Sequence, residues 1–86
     1  MKISVELTLM PLHTKFEDPI IDFIKSLRSS KFKVMENPLS TQIYGEYNEL
    51  MPFLNHAIET SFETLENVVL NMKIVKTDRS DYEPNF

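Results

Sequence analysis

Residues 39–47, LSTQIYGEY, constrain the fold more than any other stretch. They follow an Asn37-Pro38 turn signal, alternate β-branched or aromatic residues with polar ones, and run directly into Asn48, a favourable helix N-cap. The pattern predicts a central strand that feeds straight into a helix. Thr41, Ile43, Gly45 and Tyr47 then point to one side of the sheet, and Gln42, Tyr44 and Glu46 to the other. The second set is a hydrogen-bonding, acidic and aromatic surface, which a strand used only for packing does not need. Gly45 is the single glycine of the chain. Within a strand it marks a bulge or close approach to the backbone, or else room for a helix side chain.

The rest of the chain supplies partners for this strand. Residues 2–10 alternate Ile3, Val5, Leu7 and Leu9 with Ser4, Glu6, Thr8 and Met10, a half-buried strand broken by Pro11. Phe16, Ile20, Phe23, Ile24 and Leu27 form a helical stripe that ends at Ser29 and Ser30. Its start is either Asp18 as N-cap with Pro19 at the first helical position, preferred because it keeps proline out of the helix, or a Thr14/Glu17 capping box. Residues 32–36 read as a short edge strand with interleaved Lys33 and Glu36. A second helix carries Leu50, Phe53, Leu54, Ala57, Ile58, Phe62 and Leu65, with Pro52 in its first turn or just beyond. Residues 68–76 close the fold as a strand, with Val68, Leu70, Met72 and Ile74 opposite Val69, Asn71, Lys73 and Val75.

The order strand, helix, strand, strand, helix, strand predicts an α+β ferredoxin-like βαββαβ fold, a four-stranded antiparallel sheet with two helices on one face. Right-handed crossovers put the first and third strands in the middle. The apolar faces of the first and last strands are expected to meet the helices. The helix-free face then carries Ser4, Glu6 and Thr8 beside Gln42, Tyr44 and Glu46, with Asn71 and Lys73 on a flanking strand. Such a face is either simply solvated or a site. A partly buried Glu6 or Glu46 needs a partner, which a ligand cation, an amino group or Lys73 can supply. The domain is expected to span residues 1–76. The polar tail 77–86, with Tyr82 and Phe86, reads as a frayed end or as an arm that docks on a neighbour, and composition favours fraying.

Composition narrows the function. Eighty-six residues at 42% hydrophobic content make one core. No stretch approaches the roughly 20 apolar residues of a membrane span. Glu6 stands where a signal peptide would be apolar, so the expected compartment is the cytoplasm, with no membrane partner. The absence of cysteine removes disulfides, thiolate metal sites and a Cys nucleophile. A net charge of −4 argues against a nucleic-acid partner and suits a neutral or cationic ligand.

The residues then resemble the YkoF-like thiamine-binding family over nearly the whole chain. The similarity rests on Leu9-Met10-Pro11-Leu12, Asn37-Pro38-Leu39-Ser40-Thr41, Tyr44-Gly45-Glu46-Tyr47 and Val69-Leu70-Asn71-Met72-Lys73, in that order. It implies non-catalytic binding of thiamine or its hydroxymethylpyrimidine part, a cationic heterocycle, with no further cofactor. Glu6 or Glu46 would accept from the pyrimidine amino group or balance the thiazolium. Thr8, Ser40, Thr41 and Gln42 would face ring nitrogens. Tyr44 would stack on a ring or face the cation, and Met10 and Leu12 would form an apolar lip. The family includes chains with two such repeats in tandem, so this single-repeat chain is expected to form a homodimer or homotetramer.

Four other readings rank below this one. An acylphosphatase-type hydrolase needs a phosphate cradle after the first strand, where this chain reads Pro11-Leu12-His13-Thr14-Lys15 without glycine. RNA binding on the sheet needs aromatics in a basic setting, and here Glu6 and Glu46 flank Tyr44. An ACT-like regulatory or oligomerisation module shares the topology and would bind another small metabolite. A metal site lacks support: His13 and His56 have no third ligand at suitable spacing, and the five methionines read as gap-fillers.

Overall fold

Alternation at residues 2–11 and 41–46 produces two adjacent strands at the centre of a four-stranded antiparallel sheet. The computed structural model describes residues 1–12 and 17–85. Its elements are β1 (Lys2–Pro11), α1 (Glu17–Arg28), β2 (Lys33–Glu36), β3 (Thr41–Glu46), α2 (Tyr47–Thr64) and β4 (Val68–Lys76). The sheet order is β2-β3-β1-β4, as the ferredoxin-like reading requires. β1 pairs with β3 through Ser4↔Tyr44 and Glu6↔Gln42, and with β4 through Ser4↔Val75, Glu6↔Lys73 and Thr8↔Asn71. These registers place the polar residues of three strands on one face.

The opposite face packs against the helices. Ile3, Val5, Leu7 and Leu9 of β1 and Ile43 of β3 meet Phe23 and Leu27 of α1 and Leu50, Leu54 and Ala57 of α2, all buried. Burying each large apolar side chain contributes about 1.5–3 kcal/mol, so this shared layer holds the three parts together. Coverage stops short of the β4 edge. Met72 and Ile74 lie on the helix side but stay 40% and 44% exposed, and Phe62 of the α2 stripe is 44% exposed. The expectation that the whole apolar face of β4 meets helices therefore holds only for Val68 and Leu70, which pack against the core. Here the two helices leave the Met72–Ile74 end of β4 uncovered.

Several boundaries move for local reasons. α2 begins at Tyr47, not after Asn48, with Glu46 as an extended N-cap that makes no side-chain capping bond. The Tyr47 N–H instead donates to the Met1 carbonyl at 2.8 Å, so the residue that leads into β1 satisfies one of the donors a helix start leaves unpaired. α1 begins at Glu17, which puts Asp18 inside the helix and Pro19 in its first turn, where a missing N–H does no harm. The Thr14/Glu17 capping box, His13, Phe16 and Phe86 involve positions outside the described residues. Leu39 and Ser40 precede β3 in a loop. There the Asn37 side-chain oxygen accepts from the Leu39 and Ser40 N–H groups at 2.9 and 3.0 Å, the Asx turn that Asn37-Pro38 announced.

Gly45 is a packing glycine. A Cβ at this position would lie 2.6 Å from Phe32 Cδ1 and 3.0 Å from Cε1. The Phe32 ring covers the bare backbone and meets Phe53 at 5.5 Å between centroids. Close approach of another group to the backbone is thus the correct reading, and that group is a ring on the approach to β2, not a helix side chain. At the sheet edge, Arg28 at the end of α1 forms a two-pronged pair with Glu36 of β2, at 2.6 and 2.7 Å. The hydrogen bond from Arg28 holds the Glu36 carboxyl below its usual range.

Two predictions follow from the packing. Gly45→Ala should destabilise the fold by about 1–3 kcal/mol in urea unfolding, and by clearly less in a Phe32→Leu background; equal losses in both would mean that the ring is not the obstacle. Because the Glu36 pKa is lowered by folding, its contribution is present above the unfolded carboxyl pKa and disappears as pH falls through the folded one. Arg28→Met should therefore lower the urea midpoint at neutral pH, with the gap to wild type closing at acid pH.

Candidate functional site

The helix-free face owes its chemistry to the even-numbered residues of β1 and β3 and to the loop that precedes β3. Ser40, set by the Asx turn, donates from its hydroxyl to Glu6 Oε2 at 3.0 Å, and Gln42 Nε2 donates to Ser40 Oγ at 2.7 Å. Residues 34 positions apart thus form one hydrogen-bonded chain. Lys73 Nζ stands 3.8 Å from Glu6 Oε1. Both groups are substantially exposed, and such a pair contributes little, so Lys73 is free to swing while Ser40 holds the carboxylate in place. Tyr44 lies beside them, half-buried. Burial chiefly, with Asp78 and Glu6 adding to it, raises its pKa. At neutral pH it presents a protonated phenol and a ring face.

The C-terminal segment completes the site. Residues 77–80 are not frayed: they turn back over the sheet as a strap. Ser4, 8% exposed on the open face, donates from Oγ to the Thr77 carbonyl at 2.7 Å and accepts from the Arg79 N–H at 2.8 Å. Thr77 sits at φ 155°. For a β-branched residue this conformation costs about 1–3 kcal/mol and persists only where the surroundings enforce it. Strap residues line two hollows that share Tyr44, one on the open face and one that reaches round the end of the sheet to Phe32 and Glu49. One, of about 180 Å³, is lined by Glu6, Gln42, Tyr44, Lys73, Val75 and Arg79. The other, of about 310 Å³, includes Tyr44, Glu46, Lys33, Asp78 and Ser80.

The sequence candidates divide accordingly. Glu6, Gln42, Ser40 and Tyr44 come together. Glu46 lies in the neighbouring hollow, 3.1 Å from the N-terminal ammonium. Thr8 and Met10 continue the face along β1. Leu12, exposed, follows β1 and donates its N–H to the Asn67 carbonyl. Thr41 is separated from the group: it pairs with Leu7 and is buried on the helix side. Sequence reasoning places Ser4 on this face but not as the anchor of the strap, and it misses Arg79. Their contribution depends on a chain reversal at Thr77 that no local signal announces.

The surface is also less acidic than the strands alone implied. Glu6 is the single carboxylate lining its hollow, and Lys73 and Arg79 line the same hollow. In the other hollow Lys2, Lys31 and Lys33 balance Glu46, Glu49 and Asp78. A larger cleft, about 470 Å³, lies elsewhere among the described residues, between α1 and α2, lined by Phe23, Phe53 and Ala57 together with Asp22, His56 and Thr60. Size favours that cleft, but preorganisation favours the sheet, because no side-chain hydrogen bond joins the two helices across the cleft among the described residues. Among those residues no three acidic or histidine side chains are placed to hold a metal, and no helix is long and apolar enough to cross a membrane.

Comparison with known proteins supplies the family. A Streptococcus pneumoniae protein solved by structural genomics shares 29% identity over 94% of this chain and 92% of its own, with a TM-score of 0.84. A candidate thiamine biosynthesis/salvage protein of Thermotoga maritima is 20% identical over 90% of this chain and 85% of its own, with a TM-score of 0.81. A Bacillus cereus domain of unknown function is 16% identical over 99% and 79% of the two chains, with a TM-score of 0.73. The latter two establish likeness of fold. No curated protein matches the chain. The family model described as thiamine-binding protein matches residues 5–85, from β1 through the strap, and the chain therefore belongs to that family.

Proposed function

We propose that this protein binds thiamine, or its hydroxymethylpyrimidine moiety, non-covalently and without chemistry on the open face of the sheet. The observation that carries the reading is the Glu6–Ser40–Gln42 chain beside Tyr44. It is a fixed carboxylate with polar neighbours and a ring, the groups an aminopyrimidine and a thiazolium require. Glu6 accepts from the exocyclic amino group or balances the cation. Gln42 and Ser40 donate to and accept from the pyrimidine edge. Tyr44 offers a face to the heterocycle, worth roughly 0.5–2 kcal/mol for a cation. Thr8 and Met10 form the outer wall. Thr41 has no part, and Glu46 acts at most from the adjoining hollow.

The small hollow falls below the roughly 300–1,000 Å³ of typical ligand sites, so the proposal includes a second copy of the chain. The outer edge of β4 supports it. Nine residues without proline present a ladder that is unpaired among the described residues, and the exposed Met72 and Ile74 extend an apolar strip along it. Pairing of two such edges continues the sheet and covers that strip. A homodimer built this way, or a tetramer of two of them, brings two binding faces into one particle.

Isothermal titration with thiamine should give saturable heat, and the ligand should be recovered unchanged by chromatography. Glu6→Gln should weaken binding by about tenfold or more with circular dichroism unchanged. Absence of heat at millimolar thiamine with folded protein would exclude the thiamine reading. Sedimentation should show an oligomer that Ile74→Lys converts to monomer; a monomeric wild type would remove the edge-pairing part.

A further inference from the structure

Arg79 stands in a hollow where a receptor for a purely cationic ligand would have no use for it. The hollow that holds Glu6 also holds Lys73 and Arg79, so its charged groups comprise two cations and one carboxylate. Lys73 approaches Glu6, but Arg79 has no carboxylate partner among the described residues. Nor does Arg79 arrive there by chance of a loose end. Its N–H is held by Ser4, the Thr77 carbonyl is held by the same hydroxyl, and Thr77 keeps an unfavourable backbone angle to make the turn. The fold thus commits a buried serine and a strained threonine to keeping the Arg79 backbone against the sheet, with its exposed side chain beside the hollow.

We infer that Arg79 and Lys73 form an anion-binding arm beside Glu6 and Tyr44, so that the site selects the phosphate monoester of the cationic heterocycle over the free alcohol. The inference rests on the proposed thiamine reading and names the form of ligand that the site takes. A guanidinium presents a planar fork that matches phosphate oxygens two at a time, and an ammonium on a mobile stem adds a point charge. Glu6, already anchored by Ser40, serves the cationic end. A free thiazolium gains from Glu6 but is opposed by the two cations. A phosphate tail turns that opposition into attraction and releases Lys73 from its weak contact with Glu6.

The test is a pair of titrations on the intact protein, with thiamine and with thiamine monophosphate, at low and high salt. The ester should bind about tenfold more tightly at low salt, and the preference should shrink as salt screens the exposed arm. Arg79→Ala should bring the ratio of the two affinities towards one, with thiamine on the same variant as internal reference. Ser4→Ala, which frees the strap without touching a charge, should lower the ratio in the same direction. Ester binding no tighter than thiamine, an unchanged ratio in Arg79→Ala, or inorganic phosphate alone binding as tightly as the ester would each overturn the inference while leaving thiamine binding intact. Failure of both ligands to bind would instead overturn the underlying reading.

Discussion

The molecule depends on one strand having two unlike faces. β1 lies between β3 and β4, and its odd residues are sealed under both helices while its even residues remain on the open side. A one-residue slip against either neighbour would carry Ile3, Val5 and Leu7 to water and Ser4, Glu6 and Thr8 into the core. The hydrophobic layer therefore sets the register, and the register alone brings Glu6 opposite Gln42 and Lys73, and Ser4 opposite Tyr44 and Val75. Stability and site share one cause.

The same register explains why the open face is more than a solvated surface. Short polar side chains on adjacent strands lie close enough to bond one another, and Ser40 links Glu6 to Gln42 because the Asx turn at Asn37 holds it at the rim. A carboxylate held this way keeps its position when a ligand arrives, which reduces the ordering that binding otherwise requires. The glycine of the central strand, by contrast, serves the fold. It gives Phe32 a seat on the helix side and leaves Tyr44 and Glu46 to project the other way.

Charge on this face comes from several parts of the chain. β1 and β3 contribute Glu6 and Glu46, β2 contributes Lys33, β4 contributes Lys73, and the strap contributes Asp78 and Arg79. Reading the two central strands by themselves gives an acidic surface. The assembled face is balanced, and locally cationic around Glu6, because antiparallel neighbours and a chain reversal add residues that lie far away in sequence. A net charge of −4 for the whole chain says nothing of this local arrangement.

Element order, the two central strands, the helix stripes, the Asn37 turn and the family resemblance were all legible from the amino acids, because each rests on local periodicity or on short motifs that survive without knowledge of partners. Glu6, Gln42 and Tyr44 were legible as one face for the same reason: alternation with period two dictates which side chains rise together. Three matters lay beyond such signals. Met72 and Ile74 stay exposed because a two-helix layer does not reach the sheet edge. Gly45 answers to Phe32, whose ring reaches it from across the β2–β3 pair. The strap returns to Ser4 through a positive φ at Thr77, a conformation that threonine never advertises and that long-range hydrogen bonds to Ser4 help sustain. Periodicity assigns a residue to a face, whereas folding decides what stands over that face, since contacts between distant segments exist once the core has brought them together.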